Sequence, residues 1–599
     1  MRVTLALTLV LIVAVLSSAQ TRRRGAAAQA PPGGYWPPEK ARQLLEKTQT
    51  VRLAPDLSHL TTGERAAVAK LLEVGRIFQS LYERQRHERA LEAYAELARR
   101  RGAGARDLLD IYRLFQGPIA TTLENKREPF LPVAATVPGK NVYPWGVTKA
   151  EVESFLASRP DRRDSILDAR TVVRRATAPE LRADLASLRR HPALDALQPG
   201  LRRELESLLR RPDPEGFYAV PYSVAYADEM VRSHALLNEA ADAVQRDDEE
   251  FARYLRNRAR DLLSNDYESG DASWVTGRFK NLNAQIGAYE TYDDELFGVK
   301  AFFAVSVLAT RREETEALRS AMRGLQALED SLPYERRKKV REDIPVGVYD
   351  VVADFGQARG PNTATILPNE AYLARRYGRT ILLRANIMRN PELFQSTGSA
   401  WEAAVAPAHA PELTPDGNFY RTLWHEVGHY LGVDTTRGGQ DLDAALQENA
   451  SLLEEMKADL VSLFVAEALR KQGYYTAGQL RSVYASGVNR VLQNNPPRRD
   501  QPYQTMQLMQ WNFFLERGLL SFDRQSQRLR INYDKYHDVV GDLLKQVLEV
   551  QYEGDRAAAD RFIERYAKWD EPLHGAVAKN IRDRQRHRFR LFRYAALGE

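Results

Sequence analysis

The chain contains no cysteine, although it is 599 residues long. Its fold therefore cannot depend on disulfides, and it can neither hold a metal by thiolates nor use a cysteine nucleophile. Any metal must be bound by imidazole and carboxylate groups, and 10 histidines are present. The chain is 44% hydrophobic and 28% charged, which is enough apolar side chain to bury a large core and argues against wholesale disorder. The length allows about four domains' worth of chain.

The charge balance indicates no nucleic-acid partner. The formal net charge is +6, from 86 basic and 80 acidic residues. Over this length the two signs nearly cancel, as is typical of a protein with a mixed charged surface. Anionic surfaces remain the alternative partners.

The N-terminus has the pattern of a secretory signal peptide. One basic residue precedes an apolar run of about 14 residues, Val3 to Leu16, which is shorter than the roughly 20 residues of a membrane span. We predict a signal peptide over residues 1–19, a flexible mature terminus over 20–37, and export to the periplasm or the medium. Arg22–Arg24 oppose translocation, so a membrane tether formed by an uncleaved segment is the alternative. No other stretch of the sequence is long and apolar enough to span a membrane.

Most of the chain shows helical periodicity. The Leu-Arg pattern of residues 179–211 predicts short amphipathic helices with solvated outer faces, with a membrane-facing basic helix as the alternative. Residues 222–330 are also predicted to be mostly helical. The clearest strand signals are Pro345–Phe355 and Thr380–Leu383, which are rich in β-branched residues. We therefore predict a predominantly α-helical α+β fold.

The segment His425-Glu-Val-Gly-His429 predicts a zinc site. Apolar residues at 423, 427, 430 and 431 place it on a helix. Two histidines four residues apart project from one helix face, so both imidazoles can reach one ion. Glu426, beside the first histidine, can take a proton from a water molecule activated by the metal. The competing interpretation is a helix with two partly exposed histidines.

A second helical segment, Glu448–Phe464, supplies acidic side chains. A catalytic zinc takes three protein ligands and keeps an open position. Glu455 and Asp459 are four residues apart on one face, so one can ligate while the other accepts a proton from a ligand imidazole. Alternatively, the acids form a solvated face. Gly428 and Gly432 each cost a helix about 1 kcal/mol relative to alanine, which suggests that another element or the substrate packs closely there.

These two helices resemble the dipeptidyl peptidase III family of zinc metallopeptidases, particularly its bacterial members. That family pairs a His-Glu helix with a Glu-Glu-x-x-Ala-Asp/Glu helix, here Glu454 to Asp459. Eukaryotic members have one more residue between their histidines. The resemblance implies one zinc ion per chain and these roles: ligands His425, His429 and Glu455; general base Glu426; second shell Glu454 and Asp459.

Two further segments are similar to motifs of the family. Ile286–Gly298 resembles its Gly-x-x-Glu-x-Tyr-x-Asp segment, which implies that Tyr292 polarises the scissile carbonyl and that Glu290 holds the substrate ammonium. A phenol that donates to a developing oxyanion suits this role. The segment from Ile366 resembles the Asn-x-Pro-Asn motif, in which Asn369 would bind the peptide backbone.

The chain departs from the family pattern at two positions. Ile366 replaces the first asparagine of the Asn-x-Pro-Asn motif. The family carries a transition-state histidine upstream of the helix that corresponds to Leu508–Gly518, but this chain has no histidine between 430 and 536. Tyr503 is the best positional match and is predicted to contact the substrate. These differences leave open whether dipeptide release is retained.

The resemblance also implies two lobes around a deep cleft. The lower, partly β lobe would comprise residues 38–310 plus 349–395 and bind the substrate. The upper, helical lobe, residues 311–348 plus 396–599, would carry zinc, and lobe closure would expel water from the site.

The predicted function is zinc-dependent hydrolysis of peptide bonds that releases dipeptides from the N-terminus of oligopeptides. One alternative is an exported zinc endopeptidase or oligopeptidase without dipeptide register. The other is a zinc-stabilised peptide-binding protein with weak catalysis. A peptide is the partner in each case, and the sequence does not specify the oligomeric state.

Overall fold

The computed structural model describes residues 34–335, 337–341, 344–499 and 501–599. The predicted signal peptide, residues 1–19, lies outside the described residues, so export stays a prediction. Among the residues that the structure does describe, no helix is long and apolar enough to cross a membrane.

Helices form most of the molecule, as predicted. Several begin with capping boxes that the sequence supplies, as at Thr61 with Glu64. The α-helices are Pro38–Glu46, Thr62–Arg86, Ala90–Arg99, Ala103–Phe115, Lys149–Ser158, Arg163–Ile166, Ala178–Arg190, Pro192–Leu197, Leu201–Arg210, Tyr222–Ala225, Ala227–Val244, Glu249–Ser264, Glu268–Thr276, Arg312–Met322, Leu325–Ser331, Ala371–Tyr377, Ala385–Met388, Pro391–Ala404, Pro415–Gly428, Leu442–Leu446, Ala450–Phe464, Ala466–Lys471, Ala477–Val491, Pro502–Glu516, Tyr536–Glu553, Arg556–Tyr566 and Ala576–Arg584. The short 3₁₀ and π turns are Pro160–Arg162, Pro407–Glu412, Gln447–Asn449, Tyr533–Lys535, Glu571–Gly575 and Ala595–Leu597.

One five-stranded sheet lies in the middle of the chain. In spatial order its strands are Leu282–Ala288, Phe303–Thr310, Val346–Gly356, Thr380–Arg384 and Ala364–Leu367. Val346–Gly356 and Thr380–Arg384 pair in parallel, and the other pairs are antiparallel. The remaining strands form two-stranded pairs: Thr48–Leu53 with Phe589–Tyr594, Ile119–Thr121 with Arg127–Pro129, Thr171–Ala176 with Asp213–Pro221, and Leu520–Asp523 with Arg528–Ile531.

Two of these strands were not anticipated from the sequence. Residues 222–330 are mostly helical, as predicted, but Leu282–Ala288 and Phe303–Thr310 within them are strands. Both are buried along nearly their whole length. Phe303–Thr310 is a nearly continuous apolar run, which periodicity alone does not distinguish from a buried helix. Leu282–Ala288 does alternate between apolar and other residues, a strand signal that the sequence analysis missed. The two strands predicted around Val346 and Thr380 are confirmed.

The sheet separates two large hydrophobic cores. Along one strand, Leu382 packs into the first core while Ile381 and Leu383 pack into the second, because successive side chains of a strand point to opposite faces. The first core takes most of its residues from before position 310, and the second from after position 380.

The division into two lobes stays a prediction, and one segment departs from it. The final strand, Phe589–Tyr594, pairs in parallel with Thr48–Leu53. Phe592 and Tyr594 are buried in the first core, although residues 396–599 were assigned to the helical lobe. The apolar side chains of this strand are buried only when it pairs with the N-terminal strand, which sequence order does not reveal.

Candidate metal centre

The first element of the site is the histidine helix, Pro415–Gly428. Thr414 caps its N-terminus by accepting a hydrogen bond from the backbone of Gly417 at 3.2 Å, and Pro415 occupies the first turn. Its apolar side chains, Leu423 and Val427 among them, are buried in the second core. Burial of that stripe sets the rotation of the helix and therefore the direction of its histidines.

The histidine helix is shorter than the sequence indicated. The apolar stripe predicted helix through Leu431, but the helix ends at Gly428 and His429 is its C-cap residue. Beyond it the backbone tightens, with Tyr430 donating to Val427 and Leu431 to Gly428. Gly432 has φ +79°, a left-handed conformation that favours glycine. His429 itself keeps helical backbone angles. Its ring therefore stays 4.9 Å from that of His425, at 83° between the ring planes.

Gly428 brings the histidine helix against a second helix, Ala450–Phe464, which we name the glutamate helix. A Cβ atom at Gly428 would lie 2.9 Å from the carbonyl oxygen of Ala458 and 3.3 Å from the Cβ of Val461. Only a residue without a side chain fits this approach. The expected close packing at Gly428 is therefore present, and its partner is the glutamate helix.

Three side chains converge between these helices. The Nε2 atoms of His425 and His429 lie 3.2 and 3.9 Å from Oε2 of Glu455. One ligand atom from each of the three residues falls within 4.8 Å of the others. Oε2 of Glu455 is buried and has no hydrogen-bond partner within the described chain. Two imidazoles and one carboxylate with a free, buried oxygen fit Zn²⁺.

Asp459 contacts His425 on the side of the ring that faces away from Glu455. Its Oδ1 lies 2.8 Å from Nδ1 of His425 and 3.1 Å from Nη1 of Arg421, and Arg490 donates to Oδ2 at 3.3 Å. Burial opposes ionisation of Asp459, but His425 and the two arginines keep its pKa far below the usual value. Because Asp459 stays ionised, it directs the Nε2 atom of His425 towards Glu455.

Glu454 holds the second histidine in the same way. Its Oε1 lies 3.0 Å from Nδ1 of His429 and 2.8 Å from Nζ of Lys457, and Gln551 donates to Oε2 at 3.3 Å. Despite burial, Lys457 and His429 lower the pKa of Glu454 to about 2. Both imidazoles therefore have one nitrogen against a carboxylate and the other facing Glu455, an arrangement typical of metal-binding histidines.

Tyr503 also reaches this cluster. It lies in the first turn of the helix Pro502–Glu516, and its hydroxyl donates to Oε1 of Glu455 at 2.9 Å. Burial and the carboxylate raise the pKa of Tyr503, so the phenol keeps its proton. His537, the nearest histidine after His429, instead stacks on Phe464 at 4.7 Å and is not among the residues that line the cleft beside the cluster.

We expect Tyr503→Phe to weaken zinc binding about tenfold, because it removes the donor that orients Glu455 and outer contacts contribute roughly 10–100-fold to metal affinity. Competition with a chromophoric chelator measures the change. Tyr94→Phe, at a partly exposed tyrosine of the helix Ala90–Arg99, serves as the control. An unchanged zinc affinity would show that Tyr503 does not orient the ligand.

The cluster opens onto a cleft of about 930 Å³. Glu426, His429 and Glu455 line one part of it, and residues of the central sheet and its loops line the rest. The predicted substrate residues Glu290, Tyr292 and Asn369 and the replaced position Ile366 are all found along this cleft, as is Tyr503. The structure thus brings every predicted site residue to one cavity or to the shell directly behind it.

Glu290 and Tyr292 lie in the loop that connects the first two strands of the sheet. The loop follows Ala288 and is stabilised by Asp294, which accepts hydrogen bonds from the backbone of Leu296, Phe297, Val299 and Lys300. Tyr292 is 79% exposed and lines the cleft beside Glu290. Partial desolvation and the Glu290 carboxylate raise the pKa of Tyr292 to about 12, which keeps it a hydrogen-bond donor.

Several residues of the cleft were missed by the sequence analysis. Arg359, Asn362 and Arg379 line it. Arg379 donates to the carbonyl oxygen of Pro368 at 3.3 Å, and Arg359 donates to that of Phe592 at 2.9 Å. Arginine is abundant in this chain, and no local pattern distinguishes these positions. They can be identified as cleft residues only from the tertiary structure, in which their segments meet at one end of the sheet.

No family model matches the chain. Nudix hydrolase 3 of Arabidopsis thaliana is 28% identical over 367 residues, which are 60% of this chain and 47% of that protein. The chain therefore spans about half the length of this curated relative, and nothing in that protein's name is carried over.

Two solved structures are similar over nearly their whole length. The structure of DPP III from Caldithrix abyssi has a TM-score of 0.77 at 22% identity and covers 93% of this chain and 99% of its own. That of dipeptidyl-peptidase III from Corallococcus sp. strain EGB has a TM-score of 0.69 at 25% identity, with coverages of 94% and 98%. The resemblance drawn from the sequence motifs is thereby confirmed.

Proposed function

We propose, on the premise that this chain has the fold and the motifs of the dipeptidyl peptidase III family, that it is a zinc-dependent peptidase. The observation that carries the proposal is the shared cleft. His429, Glu455 and Glu426 line the same 930 Å³ cavity as Glu290 and Tyr292. Hydrolytic residues and residues suited to a peptide N-terminus thus meet in one place.

His425, His429 and Glu455 would hold the metal. A zinc ion at these side chains would act as a Lewis acid towards a water molecule and the carbonyl group of a peptide bond. Glu426 takes the proton from the attacking water and passes it to the leaving amine. Tyr292 donates a hydrogen bond to the developing oxyanion.

Substrate selection is proposed to rest on the loops of the sheet. The Glu290 carboxylate pairs with a free ammonium group at the N-terminus, and Asn369 pairs with the peptide backbone. Hydrolysis at a fixed distance from that end would release dipeptides. Assays with dipeptidyl-arylamides and with internally quenched, N-blocked peptides test this register. Turnover of the quenched peptides alone would refute the proposed release of dipeptides. It would support the alternative, a zinc endopeptidase or oligopeptidase.

We expect Tyr292→Phe to lower kcat about 10²–10³-fold, since loss of one oxyanion donor typically has that effect. Zinc content should be unchanged, because Tyr292 does not belong to the ligand cluster. Steady-state kinetics and metal analysis of the same preparation measure both quantities. Tyr372→Phe, at a half-exposed tyrosine, is the matched control. A variant with wild-type kcat would remove Tyr292 from the catalytic machinery.

A further inference from the structure

Arg170 contacts both of the segments that carry the proposed substrate residues. Its Nε donates to the carbonyl oxygen of Ala288 at 3.1 Å, two residues before Glu290. Its Nη2 forms an ion pair and a hydrogen bond with Glu370, the residue after Asn369. These two segments are about 80 residues apart in sequence, and a single guanidinium group joins them.

Arg170 is itself held firmly. Its carbonyl oxygen accepts hydrogen bonds from the backbone of Tyr222 at 2.9 Å and from the side chain of Asn265 at 3.1 Å. The guanidinium group lies 3.9 Å from the ring centre of Tyr267, where a planar cation stacks favourably. The side chain is only 15% exposed. Because these contacts hold the largely buried side chain in place, Arg170 can fix the positions of the segments that it contacts.

Arg170 keeps Glu370 ionised. Burial alone would raise the pKa of Glu370, but Arg170 lowers it below the usual value. Oε2 of Glu370 is buried and has no hydrogen-bond partner among the residues described. Without the arginine, this partly exposed carboxylate would lose its charge partner, and its buried Oε2 would be left without a compensating contact. The loop that carries Asn369 would then move or repack.

The Glu290 segment has a second buried anchor beside the first. Tyr289 donates to Asp271 at 2.6 Å, and Arg258 donates to the Tyr289 hydroxyl at 2.7 Å. Arg258 and Asp271 are fully buried. This anchor hydrogen-bonds to the Glu290 segment through Tyr289, and Arg258 also acts on Glu370 through its charge. Arg170 supplies the link between the two segments.

We propose that Arg170 is a positioning residue that sets the separation of Glu290 and Asn369 and so selects peptides with a free N-terminus. The proposal rests on the proposed function, because it takes Glu290 and Asn369 as the groups that meet the peptide. A carboxylate for the ammonium and an amide for the backbone must be correctly spaced to act together. A misplacement of about 1 Å at such a site can cost roughly 10²-fold.

Binding of two tetra-alanine peptides, one with a free and one with an acetylated N-terminus, tests the proposal. Calorimetric titration into the zinc-loaded full chain carrying Glu426→Gln, which leaves the peptides intact, is expected to show at least a tenfold preference for the free peptide, and the variants below carry the same change. Arg170→Met should abolish that preference by weakening only the free peptide. Arg170→Lys, which keeps the charge and one donor, should restore part of it. The effect of Arg163→Met, at an exposed arginine, should be negligible.

A second variant covers failure of Arg170→Met to fold. Glu370→Gln leaves Arg170 in place and removes the charge of its partner, and it should lower the preference several-fold in a chain whose cooperative thermal melting shows that it is folded. A preference that persists in Arg170→Met, or in Glu370→Gln when the former does not fold, overturns the proposal. So does a Glu426→Gln parent chain that binds both peptides equally.

Binding does not require turnover, so the two proposals fail separately. A preference for the free peptide that is lost in Arg170→Met, together with a wild-type chain that hydrolyses no peptide, would support the positioning role and refute the peptidase. A chain that hydrolyses peptides without any preference for a free N-terminus would refute the positioning role and leave the peptidase standing.

Discussion

Glu426→Gln is expected to lower kcat about a thousandfold while zinc stays bound. General acid–base catalysis contributes typically 10²–10⁴-fold, and glutamine keeps the shape of the side chain without its ability to take a proton. Glu426 lines the cleft, and the metal-ligand cluster comprises His425, His429 and Glu455. Turnover of an internally quenched peptide and zinc content of the same sample measure the two effects.

The control for this substitution is Glu448→Gln, an exposed glutamate that pairs with Arg556 outside the cleft. It should retain wild-type kcat. Equally little turnover in wild type and Glu426→Gln would favour the alternative of a zinc-stabilised peptide-binding protein. Loss of zinc from Glu426→Gln would instead mean that Glu426 contributes to metal binding as well as to proton transfer.

His429→Ala is expected to remove near-stoichiometric zinc and with it all peptidase activity. His429 is one of three ligand side chains, and three protein ligands are the usual number at a catalytic zinc. The affinity should fall by more than the roughly 10–100-fold that outer contacts contribute. Elemental analysis after dialysis against a chelator, with added zinc as a rescue arm, measures the change. Glu454→Gln should give an intermediate loss, because it removes only the partner of His429.

His537→Ala is the matched control for this loss. Its ring stacks on Phe464 rather than facing the ligand cluster, so this variant should bind zinc as wild type does. Equal zinc content in His429→Ala and wild type would refute the assigned constellation. The His429 side chain is partly exposed and Glu454 retains Lys457, so the substitution leaves no buried charge without a partner and the fold should persist.

The metal centre could be predicted from local sequence because its geometry is local. His425 and His429 are separated by one helical turn, and so are Glu455 and Asp459. A helical turn places such pairs on one face whatever the remainder of the fold. The contact between the two helices needed one further signal, Gly428, where a side chain would collide with Ala458.

The ends of these helices and the strands elsewhere in the fold were harder to predict from the sequence. The apolar stripe continued past Gly428, although the helix ends there and the chain continues in tighter turns. Leu282–Ala288 and Phe303–Thr310 are strands inside a region predicted to be helical. Leu282–Ala288 pairs with Phe303–Thr310, which in turn pairs with Val346–Gly356, a strand that lies well beyond both in sequence.

The sequence by itself determined which side chains are the candidate metal ligands. With no cysteine in the chain, imidazole and carboxylate were the available ligand types, and the two spaced pairs of residues carried them. Tertiary structure decided what surrounds those side chains. It placed the hydroxyl of Tyr503 on Glu455 and joined the Glu290 and Asn369 segments through Arg170. Helical spacing is a property of neighbouring residues, whereas these contacts arise only when distant segments pack together.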